Sequence, residues 1–118
     1  MVNGFQIRQG DVCWYNFGEA TGSTAAKYRP AIVVQKDSLN DSELRTTILV
    51  PLTSQLRYAD IGDNVFVSTA VSGLEKDSVA LCHLPTVINK ADMEYPIGHL
   101  PKATIERIVR GVTAVFGA

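Results

Sequence analysis

The stretch KYRPAIVVQ, Lys27 to Gln35, changes character halfway along. Two cations and a phenol come first, Pro30 interrupts, and Ala31, Ile32, Val33 and Val34 follow as an unbroken apolar run. A short run rich in β-branched residues reads as a strand covered on both faces. Proline has no N–H to give to a ladder, so Pro30 belongs at the start of that strand or on an edge. The strand is expected over Arg29–Gln35, with Lys27, Tyr28 and Arg29 at its mouth.

Working outward, the same logic gives further short strands separated by turn signals. Asp11–Phe17 (DVCWYNF) is aromatic and branched, and it is followed by a loop of small and polar residues, Gly18–Tyr28. Lys36–Arg45 is polar and reads as a connection with one helical turn. Thr46–Leu52 (TTILVPL) has buried character, Asn64–Ser68 alternates, Asp77–His83 (DSVALCH) forms a fifth strand, and Val87–Ile88 a short sixth. The tail then changes period. Ile105, Ile108, Val109, Val112, Val115 and Phe116 fall at three- and four-residue steps, one apolar stripe of a helix. Pro101 suits its first turn and Gly117 its stop. Glu106 and Arg110 are spaced as an i,i+4 pair on its outer face. The fold class is mainly β with a minor α component: a small barrel or strongly curved sheet with one packed terminal helix.

At 118 residues the chain suits one domain, 1–118, and 46% hydrophobic residues are enough for a core. No apolar run approaches the ~18 residues of a membrane span. The N-terminal stretch lacks the apolar segment of a secretory signal, so a cytoplasmic protein is expected. With 11 basic and 12 acidic residues the net charge is −1. That excludes coating nucleic acid by bulk positive charge and leaves a groove with a few placed cations. Cys13 and Cys82 have no zinc-like spacing and read as reduced, half-buried thiols.

No metal-ligand cluster and no glycine-rich phosphate loop is visible, so no metal or cofactor is expected. Arg29 presents a planar fork that suits phosphate; equally, an edge-strand Arg can cap a carbonyl or pair with a carboxylate. Thr53 and Ser54 close the third strand, and if strands two and three are neighbours, Arg29 and Thr53 face one pocket. The plainer use of Thr53, Ser54 and Ser23 is to satisfy turns. His83 and His99 are the two histidines. General acid–base work favours such residues, but His83 ends a core strand and His99 sits in a turn before the helix, which favours structural roles.

The segments QGDVCWYNF, TGSTAAKYRPAIVVQKD, TTILVPLTSQ and SGLEKDSVALCHLPTVINK, in this order, resemble the MazF/PemK family of type II toxin–antitoxin endoribonucleases. Ile97-Gly98-His99-Leu100 before the helix also fits, and the likeness covers roughly residues 9 to 116. The resemblance implies an SH3-like β-barrel with short helices, paired as a homodimer. It implies metal-independent cleavage of single-stranded RNA to 2′,3′-cyclic phosphate and 5′-hydroxyl ends, and a MazE-like antitoxin with an acidic tail as partner. The family Arg, Thr and Ser fall on Arg29, Thr53 and Ser23, and these are the catalytic candidates. Lys27, Tyr28, Ser54 and Trp14 are the substrate-binding candidates, the aromatic pair by stacking on bases.

Two departures from the family pattern stand out. The loop has Gly22-Ser23-Thr24-Ala25 where members often carry an acid. After the fifth strand, His83-Leu84-Pro85-Thr86 lacks the usual Gln and Arg, and His83 takes the place of an acidic residue. His83 is therefore a further catalytic candidate, as the base. The alternatives are a non-enzymatic gyrase-binding toxin of the CcdB type, which shares this barrel but closes on Trp-Gly-Ile rather than Val115-Phe116-Gly117-Ala118, and a catalytically weak homologue that serves as a binding partner.

Overall fold

The computed structural model of the protein describes residues 4–18 and 28–117. Its elements in chain order are β1 (Asp11–Asn16), β2 (Tyr28–Val33), α1 (Asp37–Asn40), β3 (Thr46–Thr53), β4 (Val65–Val67), α2 (Thr69–Ser72), β5 (Ser78–Ala80), β6 (Thr86–Asn89), β7 (Gly98–His99) and α3 (Lys102–Val115). Short 3₁₀ turns cover Leu56–Asp60 and Lys90–Asp92. The strands form one curled antiparallel sheet in the order β4-β5-β3-β2-β1-β7, and β6 adds to β3. This is the curved β architecture with a terminal helix that the sequence pattern predicts.

β3 is the hub, and it accommodates its one proline, Pro51, by a change of partner. β6 pairs with Thr46–Leu49, and β5 pairs with Leu52 and Thr53. Pro51 falls between the two partners, where its missing N–H leaves no ladder bond unmade. Its carbonyl accepts instead from the Leu81 N–H at 2.9 Å. Pro30 lies opposite Trp14 of β1 but one step outside the β2–β3 ladder, which begins at Ala31↔Pro51. It is the third residue of β2, which begins two residues earlier at Tyr28, and it precedes the stretch that pairs with β3.

Side chains alternate across the sheet and build a core on each face. Val12, Ile32, Val50 and Leu52 meet Val67, Ala80, Leu100 and Ile108 on one side. Cys13, Ala31, Val33 and Leu49 meet Phe5, Ile7, Ile88 and Met93 on the other. Each fully buried Val, Leu or Ile side chain stabilises the fold by roughly 1.5–3 kcal/mol. The consecutive apolar run of β2 is thus explained: both of its faces are covered.

Some elements differ from expectation. β5 ends at Ala80, because Leu81–Leu84 turns back: the Leu84 N–H donates to the Leu81 carbonyl at 2.9 Å. His83 is therefore in an exposed turn rather than on a strand. His99 pairs with Asp11 as part of β7 instead of lying in a turn. In α3 the buried line is Thr104, Ile108 and Gly111, flanked by the half-buried Ile105 and Val112. Val115 and Phe116, placed on the stripe by their spacing, are 47% and 75% exposed. Gly111 is the reason. A Cβ there would stand 2.5 Å from the Asp63 carbonyl oxygen and 2.8 Å from Cys82 Sγ. The helix makes its closest approach at this glycine, and its final turn projects beyond the contact. Glu106 and Arg110 are exposed and form no ion pair, in keeping with the small gain from exposed pairs.

Candidate active-site cleft

β2 and β3 are antiparallel neighbours, so the start of one lies beside the end of the other. Arg29 and Thr53 are consequently at the same end of the sheet. Both line a cleft of about 500 Å³ together with Trp14 of β1, Tyr28 and Pro30 of β2, and Leu52 of β3. Ser54 and Gln55 close one side, Gly73, Leu74, Glu75, Lys76 and Ser78 another, and Ile97 a third. The expectation that Arg29 and Thr53 face one pocket matches this arrangement.

Arg29 is half-buried. Burial lowers its pKa from the ordinary value, and the nearby Tyr58 phenol acts in the opposite direction. An arginine remains charged under such a shift, so the cleft has a fixed cation at its floor. Thr53 is 6% exposed, and its Oγ1 accepts from the Gln55 N–H at 3.2 Å. The turn role foreseen for this hydroxyl is real, yet accepting one bond leaves its own hydrogen free to donate. Ser54 is exposed at the rim. Ser23 and Lys27 lie outside the described residues.

Trp14 and Tyr28 form a stacked pair, with ring centroids 5.2 Å apart and planes at 27°. They are diagonal neighbours, since Trp14 pairs with Pro30 and Asn16 with Tyr28. The Tyr28 hydroxyl donates to Glu94 Oε1 at 2.6 Å. That bond, with burial and the Glu94 charge, raises the Tyr28 pKa.

The histidines are elsewhere. His83 does not line the cleft; its Nδ1 is 3.2 Å from Asn64 Oδ1, in a turn that also receives the Cys82 N–H on Asn64. His99 Nδ1 is 2.9 Å from Asp11 Oδ1, beneath α3 rather than in the cleft. Cys13 and Cys82 are free and fully buried, deeper than the half-buried thiols expected. Among the described residues no three of His, Cys, Asp or Glu converge as a metal site. Gln55, Glu75 and Lys76 were not singled out by sequence. Glu75 and Lys76 lie within the SGLEKDS segment, but no periodic or spacing signal tells which of its residues faces a cleft. Glu94, 66 positions from Tyr28, leaves no local signal at all.

Residues 8–116 match the family model for the PemK-like, MazF-like toxin of type II toxin–antitoxin systems. The chain is 32% identical over 110 residues to the endoribonuclease MazF6 of Mycobacterium tuberculosis, spanning 93% of this chain and 96% of the relative. It is 26% identical over 102 residues to the endoribonuclease EndoA of Bacillus subtilis, spanning 86% and 87%. Among solved structures, MazF of Deinococcus radiodurans superposes with a TM-score of 0.76 at 16% identity, covering 97% of this chain and 99% of that one. A mycobacterial endoribonuclease in complex with its cognate antitoxin superposes at 0.74 and 17% identity, covering 94% and 95%.

Proposed function

The chain belongs to the PemK-like, MazF-like toxins of type II toxin–antitoxin systems, and from that premise we propose how its cleft works as an endoribonuclease on single-stranded RNA. The activity itself follows from the family and from relatives that are endoribonucleases. The observation that carries the site assignment is the convergence of Arg29 and Thr53 on one cleft beside the stacked Trp14–Tyr28 pair.

The chemistry needs three things. A 2′-oxygen gives up its proton and attacks the adjacent phosphorus, the crowded phosphate gains charge, and the departing 5′-oxygen takes up a proton. Arg29 holds the phosphoryl oxygens and stabilises the charge as it develops. It also stands ready to donate to the leaving oxygen. The Thr53 hydrogen, not consumed by the turn, adds a second donor to the phosphate. Glu75 is the one carboxylate among the described cleft residues and receives the 2′-proton directly or through water. His83, in its turn beside Asn64, has no step in this scheme. Lys76 at the rim holds a neighbouring phosphate.

A MazE-like antitoxin is the partner. Its acidic tail would occupy a groove containing Arg29 and Lys76 and exclude RNA. The toxin is proposed to act as a homodimer in the cytoplasm. Among the described residues no helix is long and apolar enough to cross a bilayer.

The test is cleavage of end-labelled single-stranded RNA with and without EDTA over a range of salt. The expected result is cyclic-phosphate and 5′-hydroxyl ends, full rate in EDTA, and an affinity falling with a slope of about −0.7 per phosphate contact. Loss of activity in EDTA that magnesium restores would overturn the mechanism. A monomeric mass by light scattering at micromolar concentration would overturn the dimer.

A further inference from the structure

We propose that Glu94 is the positioning residue of a nucleobase subsite: it holds the Tyr28 ring stacked on Trp14, and the fixed pair offers a ready aromatic face to one base of the RNA next to the phosphate bound by Arg29. The proposal rests on the ribonuclease reading above and adds a residue that does not itself line the cleft.

The geometry carries it. Tyr28 is 53% exposed, and a side chain so open would ordinarily sample several rotamers. Here two contacts fix it. Its ring lies 5.2 Å from that of Trp14, within the range of offset stacks. Its hydroxyl donates a short, charge-assisted bond to Glu94. The anchor is rigid in turn. Met93, next to Glu94, is buried in the core, and the Ile97 N–H donates to the Val12 carbonyl at 2.7 Å, tying this segment along β1. Ordering the platform before the substrate arrives removes an entropy cost from binding. Successive strand residues point to opposite faces, yet Trp14, Tyr28 and Arg29 all line the one cleft, which sets the base contact near the phosphate contact. Every base has a π-face, so this subsite contributes grip more than sequence choice.

Trp14 is the single tryptophan of the chain and reports on the subsite directly. The probes are short, mixed-sequence 2′-fluoro RNAs, which cannot be cleaved, and an abasic sugar–phosphate chain of the same length. Base-bearing RNA should quench Trp14 emission, and the abasic chain should not. Glu94→Ala should lose the quench and raise KM about tenfold, within the range of one lost stack, with kcat changed less than about threefold. Glu94→Gln should restore both, because its amide oxygen still accepts from the Tyr28 hydroxyl. Tyr28→Phe removes the same bond without touching Glu94 and should match Glu94→Ala, which keeps the test valid if Glu94→Ala folds poorly. Parental KM and quench in both Glu94→Ala and Tyr28→Phe would overturn the proposal, as would a Gln variant as impaired as the Ala variant. If the parent cleaves no RNA while Trp14 still responds to bases, the ribonuclease reading falls and the subsite stands. Cleavage with no Trp14 response overturns the subsite alone.

Discussion

The two ends of β3 both bury polar side chains, and they differ in what those side chains face. At the Thr47 end every group is answered from within. Thr47 Oγ1 donates to Asn40 Oδ1 at 2.8 Å, Asn40 Nδ2 donates to the Gln35 carbonyl at 2.9 Å, and Gln35 Nε2 donates to the Thr46 carbonyl at 2.9 Å. Lys90, 4% exposed, spends its three donors on the carbonyls of Leu39, Asn40 and Ser42. Those carbonyls lie at the C-terminal end of α1, where acceptors have no partner in the helix and a cation is favoured. At the Thr53 end Arg29, Thr53, Ser54, Gln55 and Lys76 line a cleft. A closed network stabilises a fold, whereas polar side chains that line a cleft can also meet a molecule from outside.

Substitutions at the two ends should therefore separate activity from stability. Arg29→Ala should reduce single-turnover RNA cleavage by about 10²–10³-fold, roughly 3–4 kcal/mol, the typical loss of one preorganised donor to developing charge. Its circular dichroism and thermal midpoint should stay near those of the parent. Cleavage at the parental rate would erase the distinction between the ends.

Lys90→Met should do the reverse. Taking the ammonium away from the Asn40 and Ser42 carbonyls costs about 2–3 kcal/mol of stability, which lowers Tm by about 10 °C in a domain of this size. Activity per folded molecule should be unchanged. A variant with parental Tm and lost cleavage would mean that the closed end also serves function.

Thr53→Ala sharpens the comparison, because this residue belongs to both worlds. It holds a turn and faces the cleft. A neutral hydroxyl contact is worth about 1 kcal/mol, so cleavage should fall only about fivefold. A loss as large as that of Arg29→Ala would assign Thr53 a proton-transfer step.

The smallest effect concerns the two thiols. Burial, aided by the Asp11 and Glu94 charges, pushes Cys13 up to about 12. Burial chiefly pushes Cys82 up to about 11, with the Asp63 charge adding to it. Folding thus favours the neutral thiols. The associated stability is complete below the ordinary value of 9.0 and is lost as pH rises towards those values. Urea midpoints should hold steady at neutral pH and decline only above about 9. Neither thiol should react with a disulfide reagent at neutral pH until the protein is unfolded. Fast reaction of either in the native state would show that the core opens around it.

Much of this was legible in the chain itself. The apolar run after Pro30 announced a strand covered on both faces, and Thr46–Leu52 announced another, because burial on two sides demands consecutive apolar residues. The place of Pro30 just ahead of the β2–β3 ladder followed from its missing N–H. Arg29 at that mouth and Thr53 at the end of the next long strand were named as a pair, since antiparallel neighbours place such ends together. The family resemblance rested on the same segments. These are short-range consequences of backbone chemistry and side-chain period.

The remainder depended on approach distances between segments remote in sequence. Spacing alone put Val115 and Phe116 on the packed face of α3, but the contact point was decided by Gly111 against Cys82 and the Asp63 carbonyl. Asp77–His83 had the composition of a strand, yet β5 ends at Ala80 and a turn holds His83, which does not line the cleft. Glu94 reached Tyr28 across 66 positions, and Lys90 reached the end of α1 across about 50. Hydrophobic period and proline chemistry act within a few residues, so sequence by itself determined the two long core strands and the helix and placed Arg29 and Thr53 at strand ends, while the adjacency of β2 and β3 that brings those ends together came from the sheet. Hydrogen bonds to partners so distant exist only once the sheet has curled, so tertiary structure alone decided which polar groups joined the inner network and which line the cleft.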